Sequence, residues 1–198
     1  MPDPAPAGPL SPETLAILLD RASRSPSPYG LQPGRFLVVE DPAGLRRLQA
    51  CAWGRPEFGR ARAAVVVLGY HHPERTHLEA MLEAQVAAGV WSPSQAAEVR
   101  GRARSGLRDE SDRELWAARS AMLAAGEFLS AAASQGLSAV LADRFDAEAV
   151  RREFGVPDDH AVAALVAITD AAEAGTGFVP FGLDEVCFSE HFGRPWTP

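Results

Sequence analysis

The spacing of apolar residues predicts a first amphipathic helix, and the polar residues beside it mark its ends. Ser11-Pro12-Glu13 has the composition of a helix start, with a capping serine, a first-turn proline and a carboxylate near the positive end of the helix dipole. Apolar residues then recur at helical spacing as Leu15, Leu18, Leu19 and Ala22. We expect the helix to stop before residues 25–30, because two prolines there break helical hydrogen bonding.

Short apolar runs predict the strands of a sheet. Residues 35–40 are rich in β-branched and aromatic side chains. Residues 63–70 are continuously apolar, which is typical of a strand buried on both faces. Residues 137–142 and 162–168 have a similar character, and a last extended piece is predicted at 185–188.

Caps and helical periodicity predict helices between these strands. The predicted helices are residues 42–50 after Asp41, residues 74–88, an exposed arginine-rich helix after the capping box at Ser92, residues 112–135, and a helix from Asp146 to residue 154. The helix at 112–135 would extend roughly 36 Å at the α-helical rise. Because small residues occupy several of its faces, we expect it to be closely packed at the centre of the fold.

Strands interspersed with helices, without an internal repeat, indicate an α+β layered domain. A chain of 198 residues is long enough to bury a core of its own. We therefore expect residues 10–198 to form a single domain. A flexible Pro/Ala-rich segment is predicted at residues 1–9, and a long loop at 171–184.

The composition excludes several classes of function. The formal net charge of −7 argues against general nucleic-acid binding, and no apolar run approaches the roughly 20 residues that cross a bilayer. Cys51 and Cys187 match no metal-ligand spacing and predict no disulfide framework, so a cytoplasmic location is expected. All 19 basic residues are arginine, and the chain contains neither lysine nor asparagine.

Candidate catalytic side chains are few. His71 and His72 are adjacent and point in different directions, and His77 follows without a carboxylate or cysteine to complete a metal-ligand set. We therefore predict no metal site. A hydrolase that uses Cys51 or Cys187 stays open as an alternative, because its base would have to be positioned by the fold.

The loop at residues 25–33 is the strongest candidate for binding. It reads Ser-Pro-Ser-Pro-Tyr-Gly-Leu-Gln-Pro and combines rigidity with hydroxyls, backbone N–H groups and one side-chain amide. Such a set suits the polar edge of a planar heterocycle, although an ordinary connection between a helix and a strand would read similarly.

The order of motifs resembles the nitroreductase family across residues 12–196. Residues 26–36 read Pro-Ser-Pro-Tyr-Gly-Leu-Gln-Pro-Gly-Arg-Phe, where the family has Pro-Ser-Ser-x-Asn-x-Gln-Pro-Trp-x-Phe before a strand. Residues 116–125 are similar to the family's long dimer helix, and residues 131–137 to its ending. Residues 145–157 resemble its Phe-Asp to Pro segment, and residues 183–186 its Leu-Asp-Glu-Val element.

The resemblance implies a three-layer α/β/α sandwich with a mainly antiparallel sheet and a long central dimer helix. It also implies a homodimeric, FMN-dependent oxidoreductase that uses NAD(P)H to reduce a nitro, quinone or enone acceptor by ping-pong hydride transfer. The cofactor contacts that it implies are Pro26, Ser27, Pro28, Gly30 and Gln32 around the ring, with Arg144 as a further contact.

The departures from the family pattern leave a second function open. Residues 1–9 contain no arginine and residues 174–182 no cation, although the family holds the FMN phosphate with both regions. Gly30 replaces the loop asparagine, and Asp170 falls where the family usually has a glycine. A protein of the same fold without tight FMN binding, acting as a binding or scaffold protein, is therefore the alternative.

Overall fold

Four antiparallel strands form the sheet of the computed structural model, which describes residues 8–108, 110–170 and 179–196. The strands are β1 Gly34–Val39, β2 Ala63–Tyr70, β3 Leu137–Ala142 and β4 His160–Asp170. They lie in the order β1-β2-β4-β3, and each neighbouring pair is antiparallel. The four strands predicted from the sequence are confirmed, and β4 is longer at both ends than predicted.

Helices pack on both faces of this sheet. The helices are α1 Pro12–Ser23, α2 Pro42–Cys51, α3 Pro56–Gly59, α4 Pro73–Thr76, α5 Leu78–Ala87, α6 Pro93–Arg108, α7 Arg113–Ser134, α8 Ala147–Phe154 and α9 Leu183–Val186. One face carries α1 and α7, and the other carries α2, α3 and α8. The predicted three-layer α/β/α sandwich is confirmed.

Alternation along the two central strands separates two cores. Val65 and Val67 of β2 face α1 and α7, and they pack with the fully buried Phe128. Ala64 and Val66 face the opposite way, into the core beneath α2, α3 and α8. Both faces of β2 are therefore buried, which explains why its sequence is continuously apolar.

The long helix α7 crosses one face of the sheet, as the sequence predicts. Its start is capped by Asp112, whose carboxylate accepts a hydrogen bond of 2.8 Å from the Leu115 amide. Its end is followed by Gly136 at a φ of 70°, a left-handed conformation that glycine adopts at little cost. One face of α7 is buried against the sheet, whereas Leu115, Met122 and Leu123 on the opposite side are exposed.

Two predicted elements differ from the structure. The helix expected at 74–88 is divided at His77, which ends α4 and begins α5 with a φ of −115°. This break turns the imidazole of His77 towards β1. The piece expected to be extended at 185–188 is instead helical up to Val186, and the chain becomes extended at Cys187. Four residues were too few for periodicity to distinguish a strand from a single helical turn.

The arginine-rich helix α6 is less exposed than its sequence suggested. Its predicted capping box is confirmed, since the Ser92 amide donates to the Gln95 side chain at 2.8 Å. However, α6 buries Ala103 and Leu107 against α5 and α7 residues. Its arginines face outward, where Arg100 and Arg104 both pair with Glu79; the full set is Arg100, Arg102, Arg104 and Arg108.

The chain entering the fold is tied to the far end of β4 by one arginine. Arg62 donates to the carbonyls of Gly8 and Pro9 and forms an ion pair of 2.9 Å with Asp170. The flexible segment expected at 1–9 and the loop expected at 171–184 fall largely outside the described residues, which omit 1–7 and 171–178. Within the described ranges, no helix is long and apolar enough to span a membrane.

Candidate functional site

The loop between α1 and β1 is held in shape by its own polar groups. Ser27 Oγ accepts a hydrogen bond of 2.9 Å from the Gln32 amide, and Gln32 Nε2 donates to the Ser23 carbonyl at 2.9 Å. Tyr29, Gly30 and Gln32 all have a positive φ, between 45° and 70°. Because these contacts join the two ends of the loop, its polar groups are fixed before any ligand arrives.

This loop borders a cleft of about 230 Å³ between α1, α7 and the start of β1. Hydroxyls, one amide and one guanidinium line it together with small apolar groups. The lining residues are Ala22, Ser23, Ser25, Ser27, Gln32, Pro33, Gly34, Arg35, Phe36, His77, Ser120 and Ala124. Small side chains on α7 leave room beside the helix, and most of the polar lining groups come from residues 23–35.

The structure brings together two of the predicted cofactor contacts and separates a third region from them. Ser27 and Gln32 line the cleft. Pro26, Pro28 and Gly30 lie in the same loop with exposed side chains or backbone, outside the cleft lining. Arg144 is exposed in the turn between β3 and α8 and does not line this cleft; its predicted contact, like the other five, stays a prediction.

Sequence reasoning missed Arg35 and His77 as partners in this cleft. Arg35 Nη1 donates to the carbonyls of Gln32 and Gly34, both at 2.7 Å. Its Nη2 lies 3.0 Å from His77 Nε2, and Thr76 Oγ1 lies 2.7 Å from His77 Nδ1. The same Nη2 lies 3.3 Å from His77 Nδ1, and because an arginine only donates, the imidazole accepts this bond in its neutral form. The arginine that follows the loop motif was the available signal.

Arg35 and His77 also line a second, more open groove of about 360 Å³. Tyr70 of β2 and His160 of β4 are paired in the sheet, and their rings stack with centroids 4.9 Å apart. The Arg35 guanidinium lies 5.6 Å from the centre of the Tyr70 ring. The two cavities thus share one wall, formed by Arg35 and His77.

Histidines gather near the end of β2 without forming a metal centre. His71 and His72 follow Tyr70, with ring centroids 6.2 Å apart, and His71 Nε2 and His72 Nδ1 have no hydrogen-bond partner among the described residues. Arg113 donates to the His71 carbonyl and pairs with Glu74, which fixes the chain that leaves the strand. Across the described ranges, no three His, Cys, Asp or Glu side chains are grouped to hold a metal ion.

Mild acid is expected to destabilise the fold through His71 and His77. Burial lowers the pKa of both imidazoles below their usual 6.5, and the charge of Arg35 lowers the pKa of His77 further. Below about pH 6.5 the unfolded chain therefore binds more protons than the folded chain, so the free energy of unfolding falls as the pH drops. Glu57 and Glu79, whose pKa values lie below 4.5, lose their contribution only in stronger acid.

Thermal melts at about pH 7.5 and about pH 5.5 measure this effect, because histidine titrates in that interval. The double variant His71→Gln/His77→Gln should show a smaller difference between the two melting temperatures than the unmodified protein. An identical difference in both proteins would contradict the assignment to these histidines.

The three-layer sandwich with a cleft beside its long helix is the fold of a known class of oxidoreductases. The profile of the Nitroreductase family matches residues 7–169. The chain therefore belongs to the nitroreductase family.

Individual relatives agree with this assignment. A Thermus thermophilus NADH dehydrogenase is 32% identical over 173 residues, covering 87% of this chain and 80% of that protein. An oxygen-insensitive NAD(P)H nitroreductase of Salmonella typhimurium is 28% identical over 144 residues, covering 68% and 66%. The structure of a nitroreductase-type protein of Exiguobacterium sibiricum in complex with FMN has a TM-score of 0.81 at 18% identity, covering 93% and 90%.

Proposed function

We propose that this protein is an FMN-dependent oxidoreductase of the nitroreductase type that takes reducing equivalents from NAD(P)H and reduces a nitro, quinone or enone acceptor. The observation that carries the proposal is the fixed loop from Ser27 to Gln32 at the edge of the cleft. Family membership and the NAD(P)H nitroreductase among its relatives support it. A cytoplasmic location belongs to the proposal, because it supplies NAD(P)H and keeps Cys51 and Cys187 reduced.

The polar groups of the cleft fit the ring end of FMN. The side-chain oxygen of Gln32 accepts no hydrogen bond from the described residues, so it can accept the N–H of a ring imide. The hydroxyls of Ser25 and Ser27 and the guanidinium of Arg35 supply donors around the same cleft. When bound, FMN would supply the redox chemistry that no side chain provides. The chain itself would orient the ring and limit its contact with water.

The charge of Asp170 is a smaller obstacle to a phosphate than the sequence suggested. Its carboxylate forms an ion pair of 2.9 Å with Arg62, so the negative charge is compensated within the fold. Arg35 is the one arginine among the described residues that line the cleft. The proposal therefore predicts moderate FMN affinity, because a dianionic phosphate gains from each charge-assisted donor.

Titration with FMN tests the proposal. We expect flavin fluorescence to be quenched with a Kd on the order of micromolar and the bound flavin to be bleached by NADPH or NADH. Ser27→Ala and Gln32→Ala should each weaken binding about three- to tenfold, since each removes hydrogen bonds that fix the loop or the ring. Ser94→Ala, on the exposed start of α6, is the matched control and should bind like the unmodified protein.

A colourless protein that leaves FMN fluorescence unchanged would reject the oxidoreductase proposal. It would favour the alternative of a nitroreductase-fold binding or scaffold protein. Equal FMN affinity in Ser27→Ala, Gln32→Ala and Ser94→Ala would retain the cofactor but move its site away from this loop.

The proposal includes a homodimer built on α7. The outer face of α7 exposes three large apolar side chains, Leu115, Met122 and Leu123. Within the segment 179–196, only Cys187 and Ser189 are partly buried, and the other residues are exposed. Its large exposed apolar side chains are Val179, Phe181, Leu183, Val186, Phe188, Phe192 and Trp196. Exposed apolar surface of this extent favours a second copy of the chain as its cover. Ser120 and Ala124, which lie next to Leu123 on α7, line the cleft. A partner subunit packed on α7 would therefore help to close the cleft.

A further inference from the structure

Among the residues that the structure describes, the partly buried cation Arg35 has no carboxylate partner. Its contacts are the carbonyls of Gln32 and Gly34, the neutral ring of His77 and the ring of Tyr70. By contrast, Arg62 and Arg113, which are also partly covered, each form an ion pair with a carboxylate. Burial lowers the pKa of Arg35, although the guanidinium stays protonated at neutral pH.

The unsatisfied edge of this guanidinium can bind an anion. Its Nη1 is occupied by two carbonyls and its Nη2 contacts His77, whereas Nε donates to none of the described residues. Nε–H lies on the same side of the guanidinium as one Nη2–H, and such a pair of parallel donors is the arrangement that carboxylates and phosphates accept in bidentate fashion. A partly desolvated cation of this kind stabilises an anion more than an exposed arginine does.

The fold places the donor groups of Arg35 between the cleft and the groove. Tyr70 N donates to the Pro33 carbonyl at 2.8 Å, so the end of β2 lies beside the start of β1 and brings Tyr70 next to Arg35. Arg35 forms part of both the serine-lined cleft and the groove that contains Tyr70 and His160. A molecule in the groove would therefore lie directly beside a ligand of the cleft.

The groove suits a planar organic anion better than a bare inorganic one. Tyr70 and His160 give an aromatic ring apolar surface to contact, and the groove volume of about 360 Å³ falls in the range of small-molecule sites. Asp159 also lines the groove, but its carboxylate is bonded to His160 Nδ1 at 2.7 Å and forms no ion pair with Arg35. Asp159 therefore does not neutralise Arg35, which is the positive group available to a ligand.

We propose that Arg35, supported by His77, binds the carboxylate of a planar, carboxylate-bearing molecule that lies in the groove along Tyr70 and His160. As the electron acceptor of the enzyme, this molecule would be an aromatic or conjugated acid; that role rests on the proposed function, whereas the binding site does not. Arg35 acts by binding and orienting the acid beside the cleft.

Direct binding of benzoate tests the site without flavin or activity. Titration followed by NMR should show saturable shifts of the His77 ring signals with a Kd of about 1 mM, a value within reach of one charge-assisted contact and a small apolar ring. Arg35→Gln should weaken binding about ten- to hundredfold, and Arg35→Lys less. Arg102→Gln removes an equally charged but exposed group from α6 and should leave the affinity unchanged.

Two further probes separate the chemical sources of the anion. Benzamide, which has the same shape without the charge, should bind at least about tenfold more weakly than benzoate. Inorganic phosphate should compete poorly; if it displaces benzoate at lower concentration than benzoate itself requires, the site holds a phosphate and the carboxylate assignment is wrong. Absence of saturation up to about 20 mM benzoate, or an unchanged Kd in Arg35→Gln, would overturn the site itself.

Steady-state kinetics test the role as acceptor site. For FMN-loaded protein, Arg35→Gln should raise KM for 4-nitrobenzoate about tenfold more than it changes KM for 4-nitrobenzamide, because only the first acceptor carries the carboxylate. An equal change for both acceptors would overturn the role of Arg35 in substrate choice. If neither acceptor is reduced, the proposed function fails, and the benzoate titration still decides the binding site.

Discussion

Leu123→Glu is expected to convert the proposed dimer into a monomer. Leu123 lies on the outer face of α7 and is 54% exposed in the single chain, so the substitution should leave the folded subunit intact. In a dimer built on α7, the same side chain would be buried against the partner, where an unpaired carboxylate costs several kcal/mol. Sedimentation or light scattering at low micromolar concentration measures the change.

Loss of the proposed dimer should also weaken the proposed binding of FMN. Ser120 and Ala124 lie on α7 beside Leu123 and line the cleft, so a separated subunit leaves this side open to water. We expect FMN affinity to fall at least about tenfold, which corresponds to about 1.4 kcal/mol. Val90→Glu is the control, since Val90 is 62% exposed and follows α5 rather than belonging to α7 or to the C-terminal segment. A dimeric Leu123→Glu protein, or a monomeric unmodified one, would refute the α7 interface.

Gly69→Ala should be strongly destabilising. A Cβ atom at Gly69 would lie 2.5 Å from the backbone carbon and oxygen of Ala117, so α7 would have to move away from β2. Overpacking against a backbone that cannot turn aside costs about 3 kcal/mol, at the upper end of the usual range. For a chain of this length, the melting temperature should fall by about 6–12 °C. Because Ser120 is one turn further along α7, FMN binding should weaken as well.

Gly101→Ala is the matched control for this prediction. Gly101 lies inside α6, and a Cβ atom there would meet nothing within 4 Å. Alanine has the better helix propensity, so this variant should be about 1 kcal/mol more stable than the unmodified protein. Opposite signs for the same substitution would establish that the close approach of β2 and α7 matters, and equal melting temperatures for both variants would contradict it.

Local sequence signals placed most elements of this fold correctly. The caps at Ser11, Asp112 and Asp146 mark true helix starts, since each side chain accepts a hydrogen bond from a first-turn amide. Strands β2 and β4 could be predicted from the sequence because both of their faces are buried, which requires apolar residues at successive positions. The break between α4 and α5 at His77 could not be predicted from the sequence, because no proline or glycine marks it.

Only part of the candidate site could be predicted from the sequence. The loop around Ser27 and Gln32 could be found because its rigid residues and polar groups are contiguous in the chain. Arg35 and His77 are 42 residues apart, and each alone resembles an ordinary surface residue. Their meeting depends on the antiparallel pairing of β1 with β2, which sequence spacing does not encode.

The sequence by itself determined the α+β class, the order of its strands and helices and the likeness to the nitroreductase family, because these depend on local periodicity, caps and contiguous motifs. The tertiary structure decided which charges remain uncompensated. Asp170 ends β4 beside the start of β2 and pairs with Arg62, 108 residues away along the chain. Arg35, by contrast, contacts carbonyls and neutral or aromatic rings among the described residues. Charge compensation is a property of distances in space, so only the folded chain could reveal it.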